Sequence, residues 1–288
     1  MAKITNKYGL PEALVRAVQN DPYQGGGDIS TTKLIDSPRI RQLTAQYHHA
    51  IEEDVTERVW ALMGQAMHHV LERAGMDEGD DVRVEQRLFA EVEGWTISGQ
   101  FDRLNLTTQT LQDWKLTTVF KAKGSDDWTR QLNVLRWLAH QNGMRVERLE
   151  IVAIFRDFRA SEAERNPEYP QVNIHVIEVP VWPLDETEAY IRERVRRHQV
   201  AQANVGSELP RCTDEERWYS GESWALMKPG GKRAVKVLEA PPEVVPDALV
   251  LEHRPGRYKR CEKFCKVAPW CAQWQSTLTL TEHEAPES

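Results

Sequence analysis

The segment 98–115, "SGQFDRLNLTTQTLQDWK", predicts two short β-strands joined by a turn. Asp102 lies in the first apolar run, and Asp113 and Lys115 lie in the second. Residues two apart in a strand share a face, so Asp113 and Lys115 should point the same way while Trp114 faces the opposite layer. If the strands pair as a hairpin, Asp102 and Asp113 come close at one end. Burying these three charges is reasonable only if they neutralise each other or hold an ion.

Two explanations fit this arrangement of charges. Two carboxylates and an ammonium on one face form a site for a hard divalent ion such as Mg²⁺, which takes carboxylates, waters and substrate phosphate as ligands. The lysine is not a ligand, but it can orient or deprotonate a metal-bound water, or stabilise charge on a phosphate. The alternative is a structural hairpin in which Lys115 pairs with Asp102 or Asp113 in a cross-strand salt bridge.

The hydrophobic pattern on both sides of this segment predicts an α/β fold with a mixed central sheet flanked by helices. Helical periodicity covers residues 51–75, 127–143 and 184–206. A further helix is expected to start after Asp28 or Ser30, and Pro38 breaks or restarts it. A period of two predicts strands at residues 83–92, 95–106, 110–117, 148–158 and 172–182.

We expect the chain to divide into four segments. Its 288 residues suffice for one large core, or for a core plus a smaller module. After Gly206 the sequence becomes irregular and rich in Pro, Gly, Trp and Cys, so we place a boundary there. The expected segments are a flexible stretch at 1–27 that ends in "DPYQGGGD", a core domain at 28–206, a cysteine module at 207–275 and a disordered tail at 276–288.

The charge and hydropathy totals bound the partners and the location. A net charge of −7 does not itself indicate nucleic acid, but cations cluster locally in residues 192–199 and 254–266. No apolar run approaches the roughly 20 residues of a membrane span, and the N-terminus "MAKITNKYGLPEAL" lacks a signal-peptide core. We therefore expect a cytoplasmic protein with no membrane partner.

The cysteines predict a metal-stapled module. All four lie in the last quarter of the chain, at Cys212, Cys261, Cys265 and Cys271. In a cytoplasmic chain such clustering favours metal or cluster ligation over disulfides. Zinc modules more often show two close pairs of ligands, whereas three close cysteines and one remote cysteine better suit a 4Fe–4S cluster. Zn²⁺ stays open as the alternative, and in either case the metal would hold an irregular segment together.

Five sequence pieces in order resemble the PD-(D/E)XK nucleases, and most closely their RecB-type branch. Gly99-x-x-Asp102-Arg103 and Asp113-Trp114-Lys115 resemble the G-x-x-D and (D/E)-x-K core. "GQAMHHVLE" (64–72) is similar to the G-x-x-x-H-x-x-L-E helix of that branch, and "VEQRL" (84–88) to its Glu-bearing strand. "QLNVL" (131–135) resembles the Q-x-x-x-Y helix, with leucine in place of the tyrosine.

The resemblance implies a restriction-endonuclease-like core and a role for each matched residue. The metal, Mg²⁺ or Mn²⁺, would be bound by His68, Asp102, Asp113, the carbonyl of Trp114 and, more weakly, Glu85. Lys115 would assist the attacking water, and Gln131 would position the nucleic acid or the lysine. Relatives that include iron–sulfur CRISPR-adaptation nucleases carry a cluster whose remote cysteine often lies in a "CPR" motif. This chain has "SPR" at 37–39, so Ser37 is not a ligand and Cys212 takes its place.

The expected activity is exonucleolytic hydrolysis of DNA ends in phage or bacterial recombination or repair, because RecB-type relatives often work on ends. An endonuclease or flap nuclease of the same fold, and a catalytically silent DNA-binding module with a structural cluster, are the alternatives. The expected partners are DNA and a single-strand annealing or recombination protein, and an oligomer fits the resemblance. Phosphate contacts are expected from the cations Arg254, Arg257, Lys259, Arg260 and Lys263.

Overall fold

The computed structural model describes residues 3–20, 25–204 and 206–283. The chain divides into two compact units. The sheet unit contains the described residues up to Asp36 together with His49–Val200. The cysteine unit contains Ser37–His48 and the described residues from Ala201 onward, so it is built from two segments that are far apart in the sequence.

Helices and strands are mixed along the chain. In the first half they are β1 (Lys3–Thr5), α1 (Glu12–Gln19), β2 (Ile29–Ser30), α2 (Thr31–Ile35), α3 (Pro38–Tyr47), β3 (Glu52–Asp54), α4 (Val55–Gly75), β4 (Val82–Val92), β5 (Trp95–Asn105) and β6 (Thr110–Thr117). In the second half they are α5 (Asp126–Gln141), β7 (Arg148–Phe155), α6 (Ala160–Ala163), β8 (Ile174–Val179), α7 (Leu184–Ala203), β9 (Ser223–Met227), β10 (Ala234–Leu238), β11 (Val250–Arg254), α8 (Lys259–Lys263) and α9 (Ala272–His283). Short 3₁₀ turns lie at Val119–Lys121, Gly206–Glu208 and Ala268–Trp270. Runs of consecutive strands occur at β4–β6 and β9–β11.

The sheet unit has a mixed sheet of six strands, as the sequence pattern predicts. Strands β2, β5, β6, β7 and β8 lie side by side in that order, and β4 also pairs with β5. β4, β5 and β6 form an antiparallel meander, and the predicted hairpin pairs Arg103 with Gln112 and Asn105 with Thr110. β6 and β7 are parallel, which requires a crossover connection, and α5 supplies it. The prediction of a mixed α/β sheet flanked by helices is therefore confirmed.

Helix α5 packs against the sheet through the densest part of the core. Leu132, Leu135 and Leu138 of this helix are fully buried among the strand side chains. The helix lies close to β5 at Gly99, where a methyl group would lie 2.5 Å from Leu135 Cδ2 and 2.7 Å from Leu138 Cδ1. The glycine of the G-x-x-D motif therefore serves close helix–strand packing.

The N-terminal segment differs from the expectation of a flexible stretch at 1–27. β1 pairs in parallel with β3, and α1 buries Val15 and Val18 against Val55. Three apolar positions at helical spacing in "EALVRAVQ" produce this contact, and they are the signal that the expectation overlooked. Of the "DPYQGGGD" stretch, residues 21–24 lie outside the described part of the chain.

The cysteine unit has more regular structure than the sequence indicated. β9, β10 and β11 form a three-stranded antiparallel sheet with β9 in the middle. α9 extends to His283, so residues 276–283 of the expected disordered tail are helical, and 284–288 lie outside the described residues. α3 belongs to this unit, which the expected boundary at 206 does not capture. Within the described residues, no helix has both the length and the apolar character of a membrane span.

Candidate active site

A cleft of about 850 Å³ lies in the sheet unit between α4, the β4–β5–β6 meander and α5. Helix α4 brings Gly64, His68 and Glu72 to the cleft, because residues four apart lie on one face of a helix. The start of α4 is fixed by a capping box: Asp54 Oδ1 accepts from Thr56 N at 3.1 Å, and Asp54 N donates to Glu57 Oε1 at 3.2 Å. The helix register that carries His68 is therefore set at its first turn.

Three potential metal donors meet at one point of the cleft. His68 Nδ1 lies 3.2 Å from Glu85 Oε1 and 3.4 Å from Asp102 Oδ1. One donor atom from each of these three residues lies within 4.8 Å of the other two. Imidazole and two carboxylates from a helix and two strands form a donor set that suits a divalent ion.

Glu85 reaches this point through an unusual backbone conformation. Its φ of 47° lies in the left-handed region, where a residue with a Cβ is strained. It stands opposite Asp102, between the regular pairs Val84–Arg103 and Gln86–Phe101. The carboxylate is also held by Gln100, whose Nε2 donates to Glu85 Oε2 at 2.5 Å. Backbone strain that places an acid beside another acid is typical of a functional site.

The second acid of the hairpin forms an ion pair beside the three donors. Asp113 Oδ2 lies 2.6 Å from Lys115 Nζ, and Asp113 Oδ1 accepts from Gln131 Nε2 at 3.0 Å. Asp113 is buried, with a relative exposure of 2%. Asp102 Oδ2 accepts from the backbone N–H of Trp114 at 2.6 Å, which ties Asp102 to the strand that carries Asp113 and Lys115. The hairpin thus brings both acids and the lysine into one charged group.

The charges of this group shift each other's pKa values. Burial lowers the pKa of His68, but its hydrogen bonds and charge interactions with Asp102 and Glu85 outweigh burial and raise the pKa to about 10. Burial raises the pKa of Asp113 to about 6, although the Lys115 ammonium opposes the shift. Burial lowers the pKa of Lys115, and its pairing with Asp113 reverses this to a net increase. Without a metal, the carboxylates therefore stabilise the protonated forms of His68 and Lys115.

The sequence-predicted residues fall into two groups within this cleft. His68 and Asp102 belong to the three-donor cluster together with Glu85, which we expected only as a weaker, outer acid. Asp113, Lys115 and Gln131 form the adjoining ion-paired group. We expected the backbone carbonyl of Trp114 to be a metal ligand. In the structure, the backbone N–H of Trp114 contacts the site, because it donates to Asp102 Oδ2.

Two cleft residues were missed by the sequence analysis. Arg87 Nη2 donates to Gln100 Oε1 at 2.8 Å, and Gln100 in turn donates to Glu85. This chain of hydrogen bonds orients the Glu85 carboxylate toward His68. Only the sequence spacing could have revealed them: Arg87 lies two residues after Glu85, and Gln100 lies two residues before Asp102, so each should share a strand face with an acid of the site.

The four cysteines form a second candidate site, inside the cysteine unit. Cys212, Cys261, Cys265 and Cys271 line one small pocket together with Arg39. Burial raises the pKa of Cys212 to about 12 and also raises the pKa of Cys265. All four cysteines are free of disulfides.

Helix α3 and its N-cap residue Ser37 place two polar side chains beside the cysteines. Ser37 Oγ lies 3.0 Å from Cys212 Sγ. Arg39 is 2% exposed, and its Nε donates to Cys271 Sγ at 3.4 Å while its Nη1 donates to Leu209 O at 2.6 Å. A buried guanidinium beside sulfur atoms supplies positive charge that thiolates require. The "SPR" segment therefore lies next to Cys212 and Cys271, although Ser37 has a hydroxyl group where a cysteine would offer a sulfur ligand.

Three of the five cations that we expected to contact phosphate already have partners in the cysteine unit. Arg254 Nε pairs with Glu252 at 2.7 Å, and Arg257 Nη2 pairs with Glu262 at 2.5 Å. Arg260 donates to Glu216 O at 3.1 Å and lies over the Trp218 ring. Lys259 and Lys263 are exposed on α8. These contacts give the three arginines a structural role. Phosphate binding by the five cations stays a prediction.

The solved structures that resemble the chain include the following two, both at low sequence identity. The crystal structure of SSO0001 has a TM-score of 0.47 at 16% identity, and the match covers 71% of this chain and 89% of that one. A phage-related exonuclease from Haemophilus somnus 129PT has a TM-score of 0.36 at 15% identity, with 56% and 77% covered. Likeness this distant carries no argument about function. The sequence matches no protein-family model and none of the curated proteins compared with it.

Proposed function

We propose that the cleft of the sheet unit hydrolyses phosphodiester bonds in DNA with the help of Mg²⁺ or Mn²⁺. One observation carries the proposal: His68, Glu85 and Asp102 offer donor atoms within 4.8 Å of one another, beside the buried Asp113–Lys115 ion pair. The donor set fits a hard divalent ion, since it combines carboxylate oxygens with one imidazole. Such an ion would supply Lewis-acid stabilisation of the phosphate and a water of lowered pKa.

The residues of the chain would divide the remaining work. His68, Glu85 and Asp102 would hold the metal, and Asp113 would add the fourth protein ligand that the sequence motif implies. Lys115 stays protonated at neutral pH because its pKa is raised, so it would stabilise charge on the phosphate and orient the water rather than remove a proton. Gln131 fixes the Asp113 carboxylate by its hydrogen bond, which keeps the ion pair aimed at the cleft.

The motif resemblance favours DNA ends as the substrate and recombination or repair as the setting. An endonuclease or flap nuclease is the second reading of the same site, and a DNA-binding module without turnover is the third. A partner in strand annealing or recombination, and assembly into an oligomer, belong to the same proposal. The intact Asp102, Asp113 and Lys115 favour an enzyme, since a binding module has no need of all three.

The test compares end-labelled linear DNA with closed circular DNA in Mg²⁺ and in Mn²⁺. Wild type should degrade the linear DNA, and Asp102→Asn should lose turnover while largely keeping DNA affinity. His68→Ala and His69→Ala form a matched pair, because His69 is the exposed neighbour on the same helix and lies outside the three-donor cluster. Cutting of circles would establish an endonuclease, and wild type inactive in both ions would leave the binding module.

For the cysteine unit we propose a 4Fe–4S cluster on Cys212, Cys261, Cys265 and Cys271. Three cysteines close together in the sequence and one remote cysteine suit a 4Fe–4S cluster better than the two close pairs that are common in zinc modules. Arg39, whose Nε donates to Cys271 Sγ, would offset part of the negative charge of the cluster. Iron, sulfide and zinc contents of protein purified without oxygen decide between the two. Stoichiometric zinc without iron would refute the cluster.

A further inference from the structure

Strand β8 is a free edge of the mixed sheet. It comes last in the order β2, β5, β6, β7, β8, and within the described residues no strand pairs with its outer side. Phe155 N of β7 donates to the carbonyl of Asn173, the residue before β8, at 2.9 Å. Because hydrogen-bonded pairs alternate along an antiparallel ladder, the backbone N–H and C=O groups of Ile174, Val176 and Glu178 point away from β7. Such a row of outward groups is a template for a further strand.

An apolar surface on one face of the sheet extends to this edge. Its side chains on β6 and β7 are partly buried, whereas on β8 Ile174 is 48% and Val176 is 52% exposed. β8 lacks the lysine, the proline and the bulge that often protect an edge strand from pairing. The register arranges the apolar surface in two rows across β6, β7 and β8, which are Trp114–Val152–Val176 and Leu116–Ile154–Ile174.

The edge matches a second copy of the same strand. A twofold axis perpendicular to the sheet makes the two β8 strands antiparallel and keeps both apolar surfaces on one side. Outward groups meet outward groups when Val176 opposes the partner's Val176 and Ile174 opposes the partner's Glu178. This register uses all three outward residues of each strand, and each acid faces an isoleucine rather than the acid of the other copy. A shift by two residues would bring into the ladder either Pro180, which has no N–H, or Val172, which lies outside β8.

We propose that the protein forms a symmetric dimer in which β8 pairs with β8 of a second copy. Two six-stranded sheets then become one continuous sheet, and the row Trp114–Val152–Val176 continues into the same row of the partner. The exposed side chains of the edge become covered, which adds hydrophobic stabilisation to the main-chain hydrogen bonds. Asp113 and Lys115 alternate with Trp114 along β6, so the ion pairs of both copies lie on the same side of the joined sheet. This interface specifies the oligomer named with the proposed function, but it forms whether or not the cleft hydrolyses DNA.

Sedimentation equilibrium of the full chain measures the dimer. Wild type should have twice the mass of the 33.2 kDa chain. Val176→Lys places an ammonium against its own copy at the twofold axis, so the dissociation constant should rise at least about 100-fold. Val235→Lys is the matched control, because Val235 is 56% exposed on the edge strand β10 of the cysteine unit. This variant should form the dimer as wild type does.

Substituted cysteines test the register of the two strands. Residues that oppose each other in a hydrogen-bonded antiparallel pair have Cα atoms about 5.5 Å apart, which lies within the range of a disulfide. Val176→Cys should therefore form a covalent dimer on oxidation, as seen on a non-reducing gel. The two copies of residue 174 would be offset by four residues, roughly 13 Å, so Ile174→Cys should give no more covalent dimer than wild type. Covalent dimer from Ile174→Cys and none from Val176→Cys would refute this register.

Failure of the dimer can be told apart from failure of the proposed function. A monomeric wild type would refute the dimer and leave the edge to a strand of another protein. A dimer that persists in Val176→Lys, or an equal loss of dimer in Val235→Lys, would also refute pairing through β8. A monomer that degrades linear DNA would refute the dimer alone, whereas a dimer without nuclease activity in Mg²⁺ or Mn²⁺ would refute the proposed function alone.

Discussion

Replacing Gly99 with alanine should destabilise the sheet unit by about 1–2 kcal/mol. The added methyl group would lie 2.5 Å from Leu135 Cδ2, 2.6 Å from Thr31 Oγ1 and 2.7 Å from Leu138 Cδ1. These neighbours are buried, and Thr31 Oγ1 donates to Ser98 O at 3.1 Å, so none of them can move freely. Overpacking of a core costs about 1–3 kcal/mol, and the lower entropy of an unfolded alanine offsets about 0.4–1 kcal/mol of that.

Gly64→Ala is the matched control for this substitution, and its sign should be opposite. Gly64 lies inside helix α4, and a methyl group there would meet no atom within 4 Å. Alanine is favoured over glycine in a helix interior by about 1 kcal/mol, so Gly64→Ala should stabilise the protein. The two variants therefore make the same chemical change in two environments that differ in free space.

Urea unfolding followed by tryptophan fluorescence measures both effects, and cleavage of linear DNA measures the consequence for the site. Asp102 is three residues after Gly99 on β5, so a strand displaced from α5 moves a metal donor. A displacement of 1 Å can cost about 100-fold in rate, and Gly99→Ala should lose activity well beyond its loss of stability. Equal urea midpoints for Gly99→Ala and wild type would refute the packing argument.

Three other changes probe the two sites. Glu85→Gln keeps the size of the side chain but removes a carboxylate beside His68, and calorimetry should show Mg²⁺ bound at least about tenfold more weakly. In metal-free protein, hydrogen bonding to Asp102 and Glu85 outweighs burial and raises the pKa of His68 to about 10, so its contribution to stability is complete below pH 6.5 and is lost as the pH rises through about 10. Urea unfolding between these pH values should show that decline, and an equal decline in His68→Ala would contradict it. Cys212→Ser should lose iron, and Ser37→Cys in that background should restore it, because Ser37 Oγ lies 3.0 Å from Cys212 Sγ. No recovery of iron would show that position 37 cannot reach the cluster.

The sequence was sufficient for the hairpin and for most of the sheet because both depend on local patterns. The period of two in 83–117 predicts three consecutive strands, and a short turn between the last two dictates antiparallel pairing. Side-chain alternation alone places Asp113 and Lys115 on one face, and they are 2.6 Å apart. Helix α5 likewise follows from its apolar spacing and ends before Gly143, whose φ is 74°.

The features that the sequence did not predict depend on contacts between residues far apart in the chain or on unusual backbone angles. Nothing in "VEQRL" reveals that Glu85 adopts a φ of 47° and so turns its carboxylate toward His68. The approach of Arg39 to Cys271 joins residues 232 positions apart, and no local pattern contains it. In the cysteine unit, strands β9, β10 and β11 have only five residues each and are joined by segments that contain Pro and Gly, so their alternation is hard to distinguish from irregular structure.

The balance of charge gives an independent reason to place a divalent ion in the cleft. Glu85, Asp102 and Asp113 bring three carboxylates together, and Lys115 and a protonated His68 supply two positive charges. One negative charge is left over in a group whose central members are buried, which is costly. A divalent ion that displaces the His68 proton would neutralise the group, since it adds two charges and removes one. Metal binding should therefore release about one proton per site at pH 8, which calorimetry in buffers of different ionisation enthalpy measures directly. Binding without proton release would show that His68 keeps its proton, and would remove it from the ligand set.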